Sequence, residues 1–140
     1  MRWWNTARSA RRTEEGTVKK SETVLLVEDS ATVLALVRAF LQNEGYDVLT
    51  AGSGEEAMRI CREFDGRIGV VLTDMIMPNM GGVELAGRVR ATRPEAKILF
   101  MSGYAEEEAS SIGAPILQKP FTPHALAAKL REILDAPPDR

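Results

Sequence analysis

The chain has 140 residues, of which 44% are hydrophobic, with 18 Lys and Arg, 20 Asp and Glu, and one cysteine, Cys61. This length suits one globular domain with a real core. A lone cysteine excludes an internal disulfide, no apolar run reaches the length of a membrane span, and MRWWNTARSARR lacks the apolar core of a secretory signal, so a cytoplasmic protein is expected. The formal charge of −2 hides an asymmetry, because residues 1–20 carry six bases against Glu14 and Glu15, a net of +4 that leaves −6 on the remainder. Residues 1–21 therefore read as a flexible, solvated basic tail. Trp3-Trp4 within it follows neither helical nor strand periodicity.

From Thr23 onward, short aliphatic runs alternate with segments of helical periodicity, the pattern of repeated βα units on a parallel sheet. TVLLVE (23–28) is a strand buried on both faces, and Ser30 caps a helix with an apolar stripe of Val33, Leu34, Val37, Phe40 and Leu41. Gly45 ends that helix. YDVLTA (46–51) is the second strand, followed by a capping box of Ser53 and Glu56 that opens a helix reaching Phe64. IGVVLTD (68–74) is the third strand, suited to the sheet centre. A loop with Pro78, Gly81 and Gly82 follows, the two glycines being expected to permit a sharp bend, and Met75, Met77 and Met80 are expected to pack it onto the domain. A helix over about 82–91, the strand KILFMSG (97–103), a short acidic segment, the strand PILQ (115–118) and a last helix from near Thr122 complete the order. Leu126, Leu130, Ile133 and Leu134 form the buried face of that helix, and Pro137-Pro138 closes a domain spanning 22–136, with a short tail over 137–140.

Five strands alternating with helices make an open, doubly wound α/β sheet, in which ligands bind beyond the carboxyl ends of the strands. Those ends carry Glu28 and Asp29, then Asp74, then Ser102, then Lys119. The second strand ends in Ala51 and Gly52, which bring no side-chain chemistry. Three carboxylates brought close repel one another unless a cation holds them ionised. Mg²⁺, with Mn²⁺ as a substitute, is the economical cation, since it is held by few protein oxygens and keeps positions for water and phosphate. The set then reads as a phosphoryl pocket in which Asp74 is the nucleophile, Lys119 pairs with a phosphate oxygen and the Ser102 hydroxyl donates to another.

VEDS, TDMIMPNMGG, MSGY and QKPF, in this order and each at a strand end, resemble the motifs of the receiver domain of two-component response regulators. The resemblance runs from Thr23 to about Leu134. It implies a flavodoxin-like five-stranded sheet of order 2-1-3-4-5, with Mg²⁺ held by Glu28, Asp29, Asp74 and the backbone carbonyl of Ile76. Asp74 would accept phosphate from a histidine kinase or a histidine phosphotransfer protein, Lys119 would sense the phosphate, and Ser102 would be the switch hydroxyl. The Lys119–Pro120 bond is expected to be cis, as is usual in that family. Ile116 stands where the family often carries an inward-swinging aromatic, and with Tyr104 and Ser102 it makes up the switch set. The stretch from Ser102 to Lys119 is short by roughly one helical turn, so the fourth helix is expected to be short or irregular. Output would pass to a downstream protein through the face of the fourth helix, fifth strand and fifth helix. The wording of MSGY and QKPF resembles receivers attached to hybrid sensor kinases, which suggests a relay role.

Two other readings compete. A Mg²⁺-dependent phosphohydrolase with an aspartyl nucleophile would carry a second carboxylate two residues after Asp74, where this chain has Ile76. A pseudo-receiver that only binds partners does not need the complete acidic set. No helix-turn-helix follows the domain and its body is acidic, so neither a DNA-binding domain nor a membrane partner is expected. His124, in the first turn of the last helix, reads as a surface residue, and Cys61 as a buried helix residue.

Overall fold

The computed structural model describes residues 10–12, 18–20, 22–103 and 114–136. Within the basic segment, β1 (Ala10–Arg12) and β2 (Val18–Lys20) pair antiparallel. The domain proper runs β3 (Thr23–Val27), α1 (Ala31–Asn43), β4 (Asp47–Ala51), α2 (Gly54–Glu63), β5 (Val70–Asp74), α3 (Gly82–Thr92), β6 (Lys97–Ser102), β7 (Ile116–Gln118) and α4 (Pro123–Asp135). The expected short fourth helix and Tyr104 lie outside the described residues.

All neighbours in the main sheet are parallel, in the order β4-β3-β5-β6-β7. Counted within that sheet this is 2-1-3-4-5, the flavodoxin-like order that the resemblance implied. β3 and β5 sit in the middle with both faces covered, which is why their sequences are continuous apolar runs. Successive side chains still alternate between the faces. Leu25, Val27, Val71 and Phe100 pack with Ala57, Ile60 and Leu85 from α2 and α3. Val24, Leu26, Leu72 and Leu99 pack with Val37, Leu41, Leu126 and Leu130 from α1 and α4.

The helix starts follow the sequence closely. Ser30 Oγ accepts from Val33 N at 3.3 Å, Ser53 Oγ from Glu56 N at 3.1 Å, and Thr122 Oγ1 from Ala125 N at 3.0 Å. Glu56 completes its box one residue early, its Oε1 accepting from Gly52 N at 2.7 Å. Gly45, at φ 96, turns the chain out of α1, and Tyr46 N donates to Leu41 O at 3.1 Å. A cap contributes about 1 kcal/mol and a fully buried leucine roughly 1.5–3 kcal/mol, so packing fixes where the helices lie and caps fix where they begin.

Two long-range cations close the far side of the domain. Arg93, just after α3, donates to Cys61 O at 2.8 Å, to Gly66 O at 2.6 Å and to Phe64 O, with its guanidinium 6.0 Å from the Phe64 ring centre. It thereby fills carbonyls left open where α2 ends. Lys97 Nζ does the same for α4, donating to Ile133 O at 2.9 Å and Ala136 O at 2.7 Å. Cys61 is buried, as expected, and burial pushes its thiol pKa up.

The loop after Asp74 departs from the expected device. Its three methionines are buried, at 9%, 7% and 6% exposure for Met75, Met77 and Met80. The left-handed residue of the bend, however, is Asn79 at φ 72, while Gly81 has φ −74. Asparagine tolerates that region because its short amide bonds locally to backbone. The loop glycines are needed for room instead, since a Cβ on Gly81 would sit 3.2 Å from Met75 O and one on Gly82 would press on the backbone of Asp74 and Met75. Gly54 likewise makes room for the loop from α2, where a Cβ would sit 2.7 Å from Met80 Sδ.

Candidate phosphoryl and metal site

Parallel pairing sets the strand ends side by side, and their side chains meet there. Glu28 lies one residue past β3, anchored by its N–H on Ala51 O at 3.0 Å. Its side chain is only 2% exposed, and both oxygens are engaged. Oε2 accepts from Ser30 N at 3.0 Å, and Oε1 accepts from Lys119 Nζ at 3.1 Å. The start of α1 thus orients the carboxylate that its neighbouring strand delivers. Asp74 is the last residue of β5, and its Oδ1 accepts from the same Lys119 Nζ at 3.1 Å. Asp29 is exposed at the rim. One carboxylate oxygen from each of Glu28, Asp29 and Asp74 lies within 4.8 Å of the others.

Ser102 ends β6 and is buried, and Lys119 N donates to its carbonyl at 2.7 Å. This bond extends the β6 and β7 pairing one residue past β7, and the Lys119–Pro120 peptide is cis. Asp74, Met75, Ile76, Met101, Ser102 and Gly103 line a small open cleft. Ile76 is 61% exposed at its edge. Ile116 pairs in register with Phe100 and packs, half-buried, against the α2/α3 side of the core.

Charge decides what the site can hold. Burial pulls the Lys119 ammonium pKa down, but its hydrogen bonds and charge contacts with Asp74 and Glu28 outweigh this and raise it. The lysine is therefore a fixed cation. Three carboxylates against one ammonium leave these four groups two negative charges in excess, which one divalent cation would balance. All the converging donors are hard oxygens, the set that Mg²⁺ prefers. Residues and ion fit.

The expected residues Glu28, Asp29, Asp74, Ser102, Ile76 and Lys119 are therefore placed at one end of the sheet. Ile116 is set back in the core edge. Two contributors went unread in the sequence. One is the Ser30 amide that holds Glu28. The other is the Thr73 hydroxyl, which donates to Asp74 O at 3.0 Å from a residue with no exposed surface.

Residues 24–131 match the family described as the response regulator receiver domain. The sensor kinase CckA of Brucella abortus (strain 2308) is 43% identical over 121 residues, covering 82% of this chain and 13% of that kinase. The solved receiver domain of the hybrid histidine kinase CckA superposes with a TM-score of 0.71 at 34% identity, covering 81% of this chain and 99% of that one. The response regulator TrrA of Thermotoga maritima, solved in complex with Mg²⁺ and BeF, gives 0.69 at 32% identity, covering 80% and 98%. Relatives named as transcriptional regulatory proteins share 28% identity, and this chain spans 48% of their length.

Proposed function

The chain belongs to the response regulator receiver domain family, the signalling module of two-component systems, and from that premise we propose that Asp74 is its phosphoacceptor. The donor would be the phosphohistidine of a histidine kinase or a histidine phosphotransfer protein. An Asp74 carboxylate oxygen attacks phosphorus, the P–N bond breaks, and its electron pair returns to the donor imidazole, leaving an acyl phosphate on Asp74. Lys119 pairs with a phosphoryl oxygen, and the Ser102 hydroxyl donates to another. Glu28, Asp29, Asp74 and the Ile76 carbonyl would hold Mg²⁺, which when bound supplies positive charge against the phosphoryl oxygens.

The observation that carries this reading is the meeting of three carboxylates within 4.8 Å, two of them bridged by Lys119. The same lysine links acceptor and metal ligands before any phosphate arrives. We read the downstream effect as a change in protein contacts, with Ser102, Ile116 and Tyr104 as the moving set and the face of β7 and α4, with the segment before β7, as the output surface. The similarity to the sensor kinase CckA favours a relay role. Among the described residues no helix is long and apolar enough to cross a membrane. We read the setting as cytoplasmic, where a histidine kinase donor would present its phosphohistidine. Domain limits of 22–136, with a basic segment before them, follow the same reading.

Catalysis is confined to the protein's own phosphorylation, so it is not a turnover enzyme. Acetyl phosphate provides the test. Intact mass is expected to rise by one phosphoryl group with Mg²⁺ and to stay unchanged with EDTA. Continuous release of phosphate, many equivalents per protein and at a constant rate, would favour a phosphohydrolase. An unchanged mass with Mg²⁺ would favour a pseudo-receiver.

A further inference from the structure

We infer that Thr73 and Gly82 are positioning residues for the reaction of Asp74, acting together on its backbone carbonyl; the inference rests on Asp74 being the phosphoacceptor. The Asp74 carbonyl oxygen points into a slot. Thr73 Oγ1 forms one wall, donating to that oxygen at 3.0 Å. The Cα of Gly82, the first residue of α3, forms the other. A Cβ built on Gly82 would fall well inside van der Waals distance of the Asp74 carbonyl oxygen, 3.0 Å from Met75 Cα and 3.1 Å from the Asp74 carbonyl carbon. Each of those atoms is backbone, so no side chain can rotate away to make space.

The slot is fixed from both directions. Gly82 N donates to Met75 O at 2.8 Å, and Met75 N donates to Met101 O at 3.1 Å. Met75 is thus pinned through its carbonyl to the start of α3 and through the N–H of its peptide with Asp74 to the end of β6. A methyl group at Gly82 must displace either α3 or that peptide. Leu85, Ala86 and Val89 bury α3 in the core along its length, whereas Asp74 stands at the carboxyl end of β5, its peptide tied to the sheet at Met75 N. The Asp74 peptide is therefore the part that gives. A nucleophile shifted by an ångström loses alignment with phosphorus at a steep cost in rate. Gly82 is not there for helix stability, since alanine is the better helix former. Nor does Gly82 have a left-handed φ.

Timed intact-mass measurements with acetyl phosphate and Mg²⁺ test this on the full chain. Gly82→Ala is expected to lower the plateau rate of phosphoryl uptake at least tenfold, with little change in the half-saturating acetyl phosphate concentration, because Lys119 and Ser102 are untouched. Gly87→Ala serves as the control in the same helix, since a Cβ there meets nothing within 4 Å, and should keep the wild-type rate. Thr73→Val, which keeps the shape and removes the hydroxyl, is expected to lower the plateau several-fold, and Thr73→Ser to restore it. A folded Gly82→Ala variant reacting at the wild-type plateau overturns the inference. Should that variant fail to fold, the threonine pair decides, and equal rates for Thr73→Val and Thr73→Ser overturn it. Wild-type uptake that persists in Asp74→Asn would instead overturn the phosphoacceptor assignment itself.

Discussion

Asparagine at position 74 is expected to abolish Mg²⁺-dependent phosphoryl uptake while leaving the domain folded. Asp74 ends β5 with its side chain 13% exposed, and its backbone keeps the β5 and β6 register whichever side chain it carries. The amide has the carboxylate's shape but a far weaker nucleophile, and it removes one of the three charges that face the cation site. Lys119 retains its pair with Glu28, so the lysine stays in place. Nothing else at the site offers an equivalent attacking oxygen: Glu28 is buried with both oxygens engaged, and Asp29 lies at the rim. Intact mass before and after acetyl phosphate checks the result, and a full phosphoryl gain in the variant would move the acceptor elsewhere.

Methionine at position 119 should separate the two duties of the lysine. Lys119 Nζ stands 3.1 Å from Glu28 and 3.1 Å from Asp74, and Glu28 is 2% exposed. Removing one partner of a buried ion pair leaves an uncompensated charge, at a cost of 3–5 kcal/mol for fully buried pairs. Lys119 is itself 26% exposed, so solvent screens part of this, and a loss of about 1–3 kcal/mol is expected in EDTA. Saturating Mg²⁺ should recover most of it, because an ion bound by the folded state alone stabilises that state. The rate of phosphoryl uptake should not recover. Losing a preorganised cation at the transferring group lowers the rate by on the order of 10²-fold. Urea unfolding with EDTA or Mg²⁺, together with timed intact-mass spectra, measures both effects. Equal stability in the two buffers and an unchanged rate would contradict the bridging role.

Much of the fold was legible because the sheet is buried on both faces. The runs Val24–Val27, Val70–Leu72 and Ile98–Met101 have no exposed side to keep polar, so they read as continuous apolar segments. Ser30, Ser53 and Thr122 were legible for a local reason, each bonding an amide only three residues away. Contacts across long stretches of chain were not legible. Arg93 reaches carbonyls 27 to 32 residues away, and nothing near it in the sequence names them.

The Asp74 loop shows a subtler limit. Its glycines announced a tight place, but glycine serves two ends, a left-handed φ and close approach, and the sequence does not say which. Here Asn79 takes the left-handed φ and Gly82 the close approach. At the site, the acidic and basic strand ends were readable from strand-end position, whereas the Ile76 carbonyl rests on the motif resemblance alone. The double pairing of Lys119 needed the folded chain, since it joins residues 91 and 45 positions apart.

One dication at the sheet's carboxyl end underlies the whole account, and Mn²⁺ locates it directly through paramagnetic broadening of backbone amide signals. With substoichiometric Mn²⁺, broadening should concentrate at Glu28, Asp29, Ser30, Asp74, Met75 and Ile76, fade along each strand toward its start, and be displaced by excess Mg²⁺. In Asp74→Asn it should weaken at the same residues. Broadening spread instead over exposed acids such as Glu55, Glu84 and Glu132, or unmoved by Mg²⁺, would contradict a built divalent-cation site.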